Sequence, residues 1–175
     1  MLEDFNLIAT TARGNERAMS HELYYLLKDE LDDAEAKTST TMVRGLIVGK
    51  TSLNPLEVME KFRAILNERP YMFRYALRIV PIQKVVPTEP EAIKKAAAEL
   101  ATKMTAEESF RVTVEKRFTE VHSKDIIEAA VGDIPNKVDL HNPNWIIQVE
   151  VIGNLTGVSL IGPNDVLAVV KEKML

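Results

Sequence analysis

Residues 138–151 have the sequence VDLHNPNWIIQVEV, and this stretch predicts the centre of a sheet in the second half of the chain. The segment from Trp145 to Ile152 is nearly all apolar, which is typical of a strand buried on both faces. The Asn142-Pro143 pair before it favours a turn, because Asn bonds to nearby backbone and Pro presets φ. A short strand is predicted ahead of this turn, at residues 138–140.

Helices and strands are predicted to alternate around that central strand. Phe110, Val112 and Val114 alternate with polar residues, as in a half-buried strand. Ser123 is a typical N-cap residue and begins a helical pattern. The other predicted elements of this half are a helix after the capping box at 88–91, a strand at 158–161 and a last helix from Asn164.

The first half of the chain has the predicted order β-α-β-β-α-β. Two helical patterns separate strand patterns near residues 5–9, 38–42, 46–50 and 75–80. The second helix has a sharp start, because Asn54 is a good N-cap residue and Pro55 needs no N–H in the first turn. This order is that of a ferredoxin-like sandwich, with helices on one face of an antiparallel sheet.

The predicted fold class is therefore α+β, with two domains. An N-terminal ferredoxin-like domain is predicted at residues 1–82, followed by an α/β domain at residues 83–175. Three prolines between positions 81 and 90 indicate a short linker near residues 82–87.

The composition excludes several classes of protein. The chain has 175 residues and no cysteine, which rules out disulfides and thiolate metal sites. No run approaches the roughly 20 apolar residues that a membrane-spanning helix needs, and the acidic start at residues 1–5 is unlike a secretory signal. We expect a cytoplasmic protein with no membrane association.

Charge is unevenly distributed along the chain. The net charge is −4, and residues 1–35 hold nine acidic and three basic side chains. Residues 63–84 have the opposite balance, with five basic side chains against Glu68 alone. A basic stretch inside an acidic chain is consistent with a local nucleic-acid surface.

No catalytic residue, cofactor or metal site is predicted. His21, His122 and His141 are the three histidines, and none has a second histidine at ligand spacing. The seven glycines do not form a phosphate-binding loop or a dinucleotide fingerprint. The G-x-S-x-G motif of serine hydrolases is also missing from the sequence. We therefore expect a chain that is not an enzyme.

Several blocks of the second half resemble the THUMP domain, an RNA-binding module of enzymes that modify tRNA and related RNA. They are FRVTVEKR at 110–117, the helix from Ser123 to Gly132, VDLHNPN at 138–144 and VEV at 149–151. The blocks occur in the family's order and spacing over roughly residues 83–170. The resemblance implies that residues 83–175 are a THUMP RNA-binding domain.

The first half resembles one subgroup, the stand-alone tRNA acetylation adaptors. The similar blocks are FNLIATT at 5–11, NER at 15–17, RGLI at 44–47 and RIVPI at 78–82. The resemblance implies a non-catalytic protein that binds tRNA and presents it to an RNA cytidine acetyltransferase forming N4-acetylcytidine. The end of the chain at Leu175, directly after the module, strengthens this expectation.

Basic residues near the THUMP-like blocks are the candidates for RNA contact, because Lys and Arg bind phosphates. Lys124 would lie in the first turn of a helix, where free N–H groups also favour an anion. We expect these residues to converge at one edge of the sheet, with residues of the basic stretch extending the surface. The complete set of predicted RNA-binding residues is Arg74, Arg78, Lys84, Arg111, Lys116, Arg117, Lys124, Lys137 and Asn142.

Two alternatives remain open at this stage. One is an RNA-modifying enzyme whose catalytic residues form no recognisable motif. The other is a protein-docking module that uses the ferredoxin-like half and binds no RNA, which the acidic net charge favours slightly.

Overall fold

The computed structural model describes residues 1–174 and divides them into two compact units. The first unit contains residues 1–82 and the chain from Asp165 onward, and the second contains residues 83–164. Among the described residues, no helix is long and apolar enough to cross a membrane.

The first unit is an antiparallel sheet with helices on one face, in the predicted ferredoxin-like order. Strand order across the sheet is β2-β3-β1-β4, which is the order that two interleaved split βαβ halves produce. The elements are β1 (Leu7–Thr10), α1 (Glu16–Tyr25), β2 (Lys37–Thr40), β3 (Leu46–Lys50), α2 (Pro55–Glu68) and β4 (Arg78–Pro81).

Helix α2 shows how the local sequence builds this unit. The Asn54 side chain accepts a hydrogen bond from the N–H of Leu56 at 2.9 Å, and Pro55 occupies the first turn. The cap therefore forms as the sequence predicts, because it satisfies a free N–H of the first turn. The apolar side of α2 packs on the sheet, and its buried residues are Val58, Met59, Phe62, Ile65 and Leu66.

The last described residues return to the first unit, contrary to the prediction that they belong to the second. Strand β9 (Leu167–Ala168) pairs with β4 and adds a fifth strand at that edge, and helix α5 (Val169–Lys173) follows it. Glu172 of α5 accepts a hydrogen bond from Nε of Arg63 on α2 at 2.7 Å. Leu167 and Val169 are fully buried in the core of this unit, so apolar burial stabilises the return.

The second unit is a four-stranded sheet with two helices. Its strand order is β5-β8-β7-β6, and β6 and β7 are parallel while the other pairs are antiparallel. The elements are β5 (Lys84–Pro87), α3 (Pro90–Ala101), β6 (Phe110–Arg117), α4 (Ser123–Val131), β7 (Trp145–Ile152) and β8 (Leu155–Ile161).

Strand β7 is the central strand that the sequence predicted. It pairs with β6 on one side and β8 on the other, and six of its residues are buried. Ile147, Val149 and Val151 join the core of this unit together with Ile93 of α3 and Ile126 of α4. These three residues lie on one face of the strand, and Gln148, Glu150 and Ile152 lie on the other. Both faces are therefore buried as predicted, but one of them carries polar side chains.

Two local predictions in this half are wrong. Residues 84–87, expected to lie in a linker, form the edge strand β5, which bonds to β8. Residues 138–140, expected to be a strand, contribute only an isolated parallel bridge between Phe110 and Val138.

A buried carboxylate ties the loop after α1 to the end of β3. Asp33 is 2% exposed, and its carboxylate accepts hydrogen bonds from Oγ1 of Thr51 (2.6 Å) and from N–H and Oγ of Ser52 (3.0 and 2.5 Å). Burial raises the pKa of Asp33, but the hydrogen bonds from Ser52 and Thr51 together outweigh it and leave the pKa below the usual 3.8. The folded state therefore favours the ionised form.

We expect Asp33→Asn to lower the free energy of unfolding at pH 7 by about 1–3 kcal/mol, the typical cost of disrupting buried hydrogen bonds. The pKa of Asp33 is lower in the folded state than in the unfolded state. The stability that this carboxylate contributes is therefore fully present above its unfolded-state pKa, and it is lost as the pH falls through its folded-state pKa. The difference from wild type should therefore be full at neutral pH and shrink below about pH 4, near the reference pKa of aspartate. Urea unfolding at several pH values measures it. The neighbouring exposed Asp32→Asn is the control, and an equal effect of both variants at pH 7 would contradict the role of this carboxylate.

Candidate nucleic-acid interface

Strand β6 carries three of the predicted RNA-binding residues and lies at an edge of the second sheet. Its parallel register with β7 runs from Phe110 opposite Trp145 to Arg117 opposite Ile152. The chain then crosses through α4, whose second residue is Lys124. In a parallel pair this geometry places the carboxyl end of β6 close to the amino end of the crossover helix.

Three predicted residues therefore lie together at the carboxyl end of β6: Lys116, Arg117 and Lys124. The Lys116 ammonium donates to the carbonyl oxygen of Val121 at 3.1 Å, across the loop that leads to α4. The Lys124 side chain is 83% exposed, and its ammonium is 3.9 Å from Glu128 one turn along the helix. An exposed pair at that distance contributes little, so Lys124 remains available to an anion.

Phe118 lies in the same place, although nothing in the sequence pattern singled it out. Its side chain is 68% exposed, and its φ of 54° is in the left-handed region. That conformation is costly for a residue with a bulky side chain. A strained backbone that presents an aromatic ring to solvent between Arg117 and Lys124 is a feature that the fold alone does not require.

Arg117 has a structural role that its position in the sequence does not reveal. Its Nη2 donates to Oε1 of Glu150 at 3.1 Å; the Arg117 side chain is 17% exposed and that of Glu150 is fully buried. Glu150 also accepts a hydrogen bond from Nε2 of Gln148 at 2.6 Å. Arg117, which the sequence offered only as a residue for RNA contact, therefore compensates a buried carboxylate within the fold.

Arg111, Lys137 and Asn142 lie at the other end of β6. Arg111 donates from Nη1 to the Leu140 carbonyl at 2.8 Å, and the Lys137 carbonyl accepts from the N–H of Phe110. Seven residue steps separate Phe110 from Arg117, which is about 23 Å along a strand. The predicted residues of the THUMP-like blocks thus form two groups on one edge rather than one cluster.

The loop at the amino end of β6 is organised by Asp139. Its Oδ1 accepts from the N–H groups of Asn142 and His141, both at 3.0 Å. These two backbone hydrogen bonds, that of Asn142 first, lower the pKa of Asp139. Because Asp139 bonds to the backbone two and three residues ahead, this block shapes a turn, as Asx residues commonly do. The Asn142 side chain is exposed.

The remaining predicted residues lie elsewhere. Lys84 is on β5, at the opposite edge of the sheet from β6, and pairs with Glu99 of α3. The hydrogen bond from Lys84 and its positive charge lower the pKa of Glu99. Arg74 and Arg78 belong to the first unit, where Arg78 is the first residue of β4 and Arg74 is exposed.

Electrostatics distinguish the two units. Residues 115–128, at the carboxyl end of β6, contain three basic residues but also Glu115, Glu120, Asp125 and Glu128. In the first unit, Arg74 belongs to a set of loops that also carries Arg13 and Arg44, and Arg17 follows in the first turn of α1. These three other arginines are outside the predicted site. Arg17 and Arg44 lie in the adaptor-like blocks of the sequence, and this position could have marked them as candidates. The sequence does not show that the loops meet in space.

Comparisons with known proteins agree with this fold. Residues 87–161 match the model of the THUMP domain, which confirms that the second half contains this domain. No curated protein matches the chain. Similar crystal structures include PH1313 from Pyrococcus horikoshii Ot3, with a TM-score of 0.61 and 19% identity over 91% of this chain and 55% of that chain.

Two further structures share the fold over most of this chain. TrmN from Thermus thermophilus has a TM-score of 0.59 and 18% identity, covering 90% of this chain and 45% of its own. A 4-thiouridine synthetase in complex with RNA and bound ATP has a TM-score of 0.52 and 16% identity, with 91% and 42% covered. The chain spans about half the length of these proteins, and at such identities the likeness shows the fold alone.

We expect Arg117→Ala to destabilise the protein by about 3 kcal/mol, because it leaves the buried Glu150 carboxylate without its guanidinium. Lys116→Ala, one residue earlier and exposed, should change stability by no more than about 0.5 kcal/mol. Chemical denaturation of both variants measures the difference. Glu150→Gln in the Arg117→Ala background should restore part of the stability, and its failure to do so would mean that Arg117 acts through packing alone.

Proposed function

We propose that this chain, whose residues 87–161 are a THUMP domain, binds tRNA and presents it to a modification enzyme in the cytoplasm. The enzyme in this proposal is an RNA cytidine acetyltransferase that forms N4-acetylcytidine. The observation that carries the proposal is the THUMP domain match, over a segment that includes β6, α4 and β7. In this proposal the chain itself is not an enzyme.

The geometry at the carboxyl end of β6 supports RNA contact. Lys116 and Lys124 are exposed there, beside the free N–H groups of the first turn of α4, for which no side chain provides a cap. A helix amino end with nearby ammonium groups attracts phosphate. Phe118 adds an exposed aromatic face, on which an unpaired base can stack.

The adaptor role is supported by the resemblance in the first half of the chain. Its four adaptor-like blocks form β1, the start of α1, the hairpin before β3 and strand β4. These blocks include the exposed Arg17 and Arg44 of the first unit. The resemblance therefore extends to surface residues and is not confined to the apolar core.

A second candidate function is the RNA-binding part of an RNA-modifying enzyme. It is favoured by the likeness to the 4-thiouridine synthetase–RNA complex, of which the chain covers 42%. Incubation of the purified chain and tRNA with ATP, S-adenosylmethionine or acetyl-CoA, each without a partner enzyme, distinguishes the candidates. Base modification by the chain alone would contradict the adaptor proposal.

Addition of the chain to an RNA cytidine acetyltransferase from the same cells should increase N4-acetylcytidine formation in tRNA, measured by mass spectrometry of nucleosides. Lys116→Gln/Lys124→Gln should reduce this stimulation. It should also flatten the plot of log tRNA affinity against log salt concentration, by a slope of about 0.9 for each duplex phosphate that the variant no longer neutralises. Lys95→Gln/Lys103→Gln, which removes two lysines of the same unit from outside the site, is the matched control. Stimulation without measurable tRNA binding would indicate that the chain acts through a protein contact.

Phe118 gives a test in which stability and binding change in opposite directions. Phe118→Gly should raise stability by about 1 kcal/mol, because glycine adopts the left-handed conformation without strain. The same change should weaken binding of tRNA by about 1–3 kcal/mol, the usual contribution of one base–aromatic stack. Thermal unfolding and fluorescence anisotropy measure the two effects.

Controls separate stacking from general surface change at Phe118. Phe118→Trp should keep the affinity, and Ile127→Ala, which truncates an exposed apolar side chain of α4, should change neither quantity appreciably. Wild-type affinity in the glycine variant would contradict base stacking at this position.

A further inference from the structure

Three loops of the first unit meet at one end of its sheet. They are residues 11–15 after β1, residues 41–45 between β2 and β3, and residues 74–77 before β4. Thr11 connects the other two, since its N–H donates to the Gly45 carbonyl and its hydroxyl donates to the Tyr75 carbonyl, both at 2.8 Å. Gly45 has a φ of 76°, and a Cβ there would lie 2.7 Å from the Thr11 carbonyl oxygen, so the close approach requires glycine.

Two carboxylates of α1 hold these loops in place. Glu16 accepts hydrogen bonds from the N–H groups of Gly14 (2.9 Å) and Gly45 (3.0 Å). Glu22 accepts from the N–H groups of Arg74, Tyr75 and Ala76 at 2.7–3.1 Å. Both carboxylates are thus engaged with backbone amides, rather than in ion pairs with the arginines around them.

The pKa of Glu16 agrees with this arrangement. The pKa of the Glu16 carboxyl is lowered mainly by hydrogen bonds from backbone N–H groups, first that of Glu16 itself and then that of Gly45. The positive charge of Arg44 lowers it further. The carboxylate therefore stays ionised while it holds the loops together.

Each of these loops presents an arginine to solvent, and the exposed apolar residues Met42 and Leu77 lie beside them. Arg13, Arg44 and Arg74 come from the three loops and Arg17 from the first turn of α1, and all four are exposed. Within residues 1–174, the guanidinium groups of these four arginines make no hydrogen bond or ion pair, and that of Arg74 lies over the Tyr75 ring at 5.6 Å. We call Arg13, Arg17, Arg44 and Arg74 the arginine loops cluster.

We propose that the arginine loops cluster binds phosphodiester groups of the RNA backbone, so that the first unit is itself an RNA-binding surface. Guanidinium groups suit this partner, since their planar donors bind phosphate oxygens in pairs. The four arginines face two carboxylates, Glu16 within these segments and Glu22 on the N–H groups of residues 74–76, so the local charge is about +2 although the chain is acidic overall. This inference rests on the proposed tRNA-binding function and extends it to the first unit.

The test uses the full chain with unfractionated tRNA, and measures the dissociation constant at several salt concentrations between about 50 and 200 mM KCl. Arg13→Gln/Arg44→Gln/Arg74→Gln should weaken binding and flatten the plot of log affinity against log salt by about 0.9 for each duplex phosphate that is no longer neutralised, up to about 2.7 for three. The charge-conserving variant with lysine at all three positions should keep most of the salt slope. Lys37→Gln/Lys61→Gln, which removes two exposed lysines of the first unit outside the loops, is the matched control.

The outcomes separate this inference from the proposed function. A wild-type chain that binds no tRNA at the lowest salt concentration overturns both. If the wild type binds and Lys116→Gln/Lys124→Gln weakens binding, but the three-arginine glutamine variant keeps wild-type affinity and slope, then this inference is overturned and the proposed function stands. Circular dichroism checks that the three-arginine variant is folded. If it is not, phenylglyoxal labelling of the wild type is the test instead, and tRNA should protect Arg13 and Arg44 from modification. Equal labelling with and without tRNA overturns the inference.

Discussion

The second unit depends on the parallel pairing of β6 with β7. Two parallel neighbours cannot be joined by a tight turn, so the chain must cross over one face of the sheet, and α4 is that crossover. The crossover packs beside β6, with Ile126 and Ala130 in the core of the unit, and brings the amino end of α4 to the carboxyl end of β6. The position of Lys116, Phe118 and Lys124 relative to each other follows from this pairing more than from any contact among the three side chains.

The same pairing explains why Arg117 and Glu150 occur together. Strand β7 has a neighbour on each side, and Glu150 in its interior is fully buried. A charge in that position is tolerated only with an opposite charge and further hydrogen bonds. Arg117 on the adjacent strand supplies the charge, and Gln148 supplies a hydrogen bond.

Patterns with a local cause were predictable from the sequence. The cap at Asn54-Pro55, the apolar strand 145–152 and the β-α-β-β-α-β order all depend on residues that are neighbours in the chain. The errors have a non-local cause: β5 exists because β8 offers it a partner, and Val138 has no strand beyond its bridge to Phe110. The candidate site shows the same limit, since residue type indicated that Lys116 and Arg117 are basic but not that one is exposed and the other pairs with a buried carboxylate. Arg13, Arg44 and Arg74 are distant in sequence and share a surface only because Thr11, Glu16 and Glu22 join their loops.

The return of the chain to β4 has a consequence for how the protein forms during synthesis. Strand β4 ends at Pro81, but its outer neighbour β9 begins only at Leu167. At about 5–20 residues per second, the ribosome needs on the order of ten seconds to make the intervening segment. Throughout that interval the first sheet has an open edge with unpaired backbone groups, the kind of edge on which another chain can add a strand. The whole second unit is synthesised before this edge is paired. A nascent chain that stalls within residues 83–164 therefore exposes β4 as a site for aggregation. In the finished protein the two-residue strand β9 covers that edge.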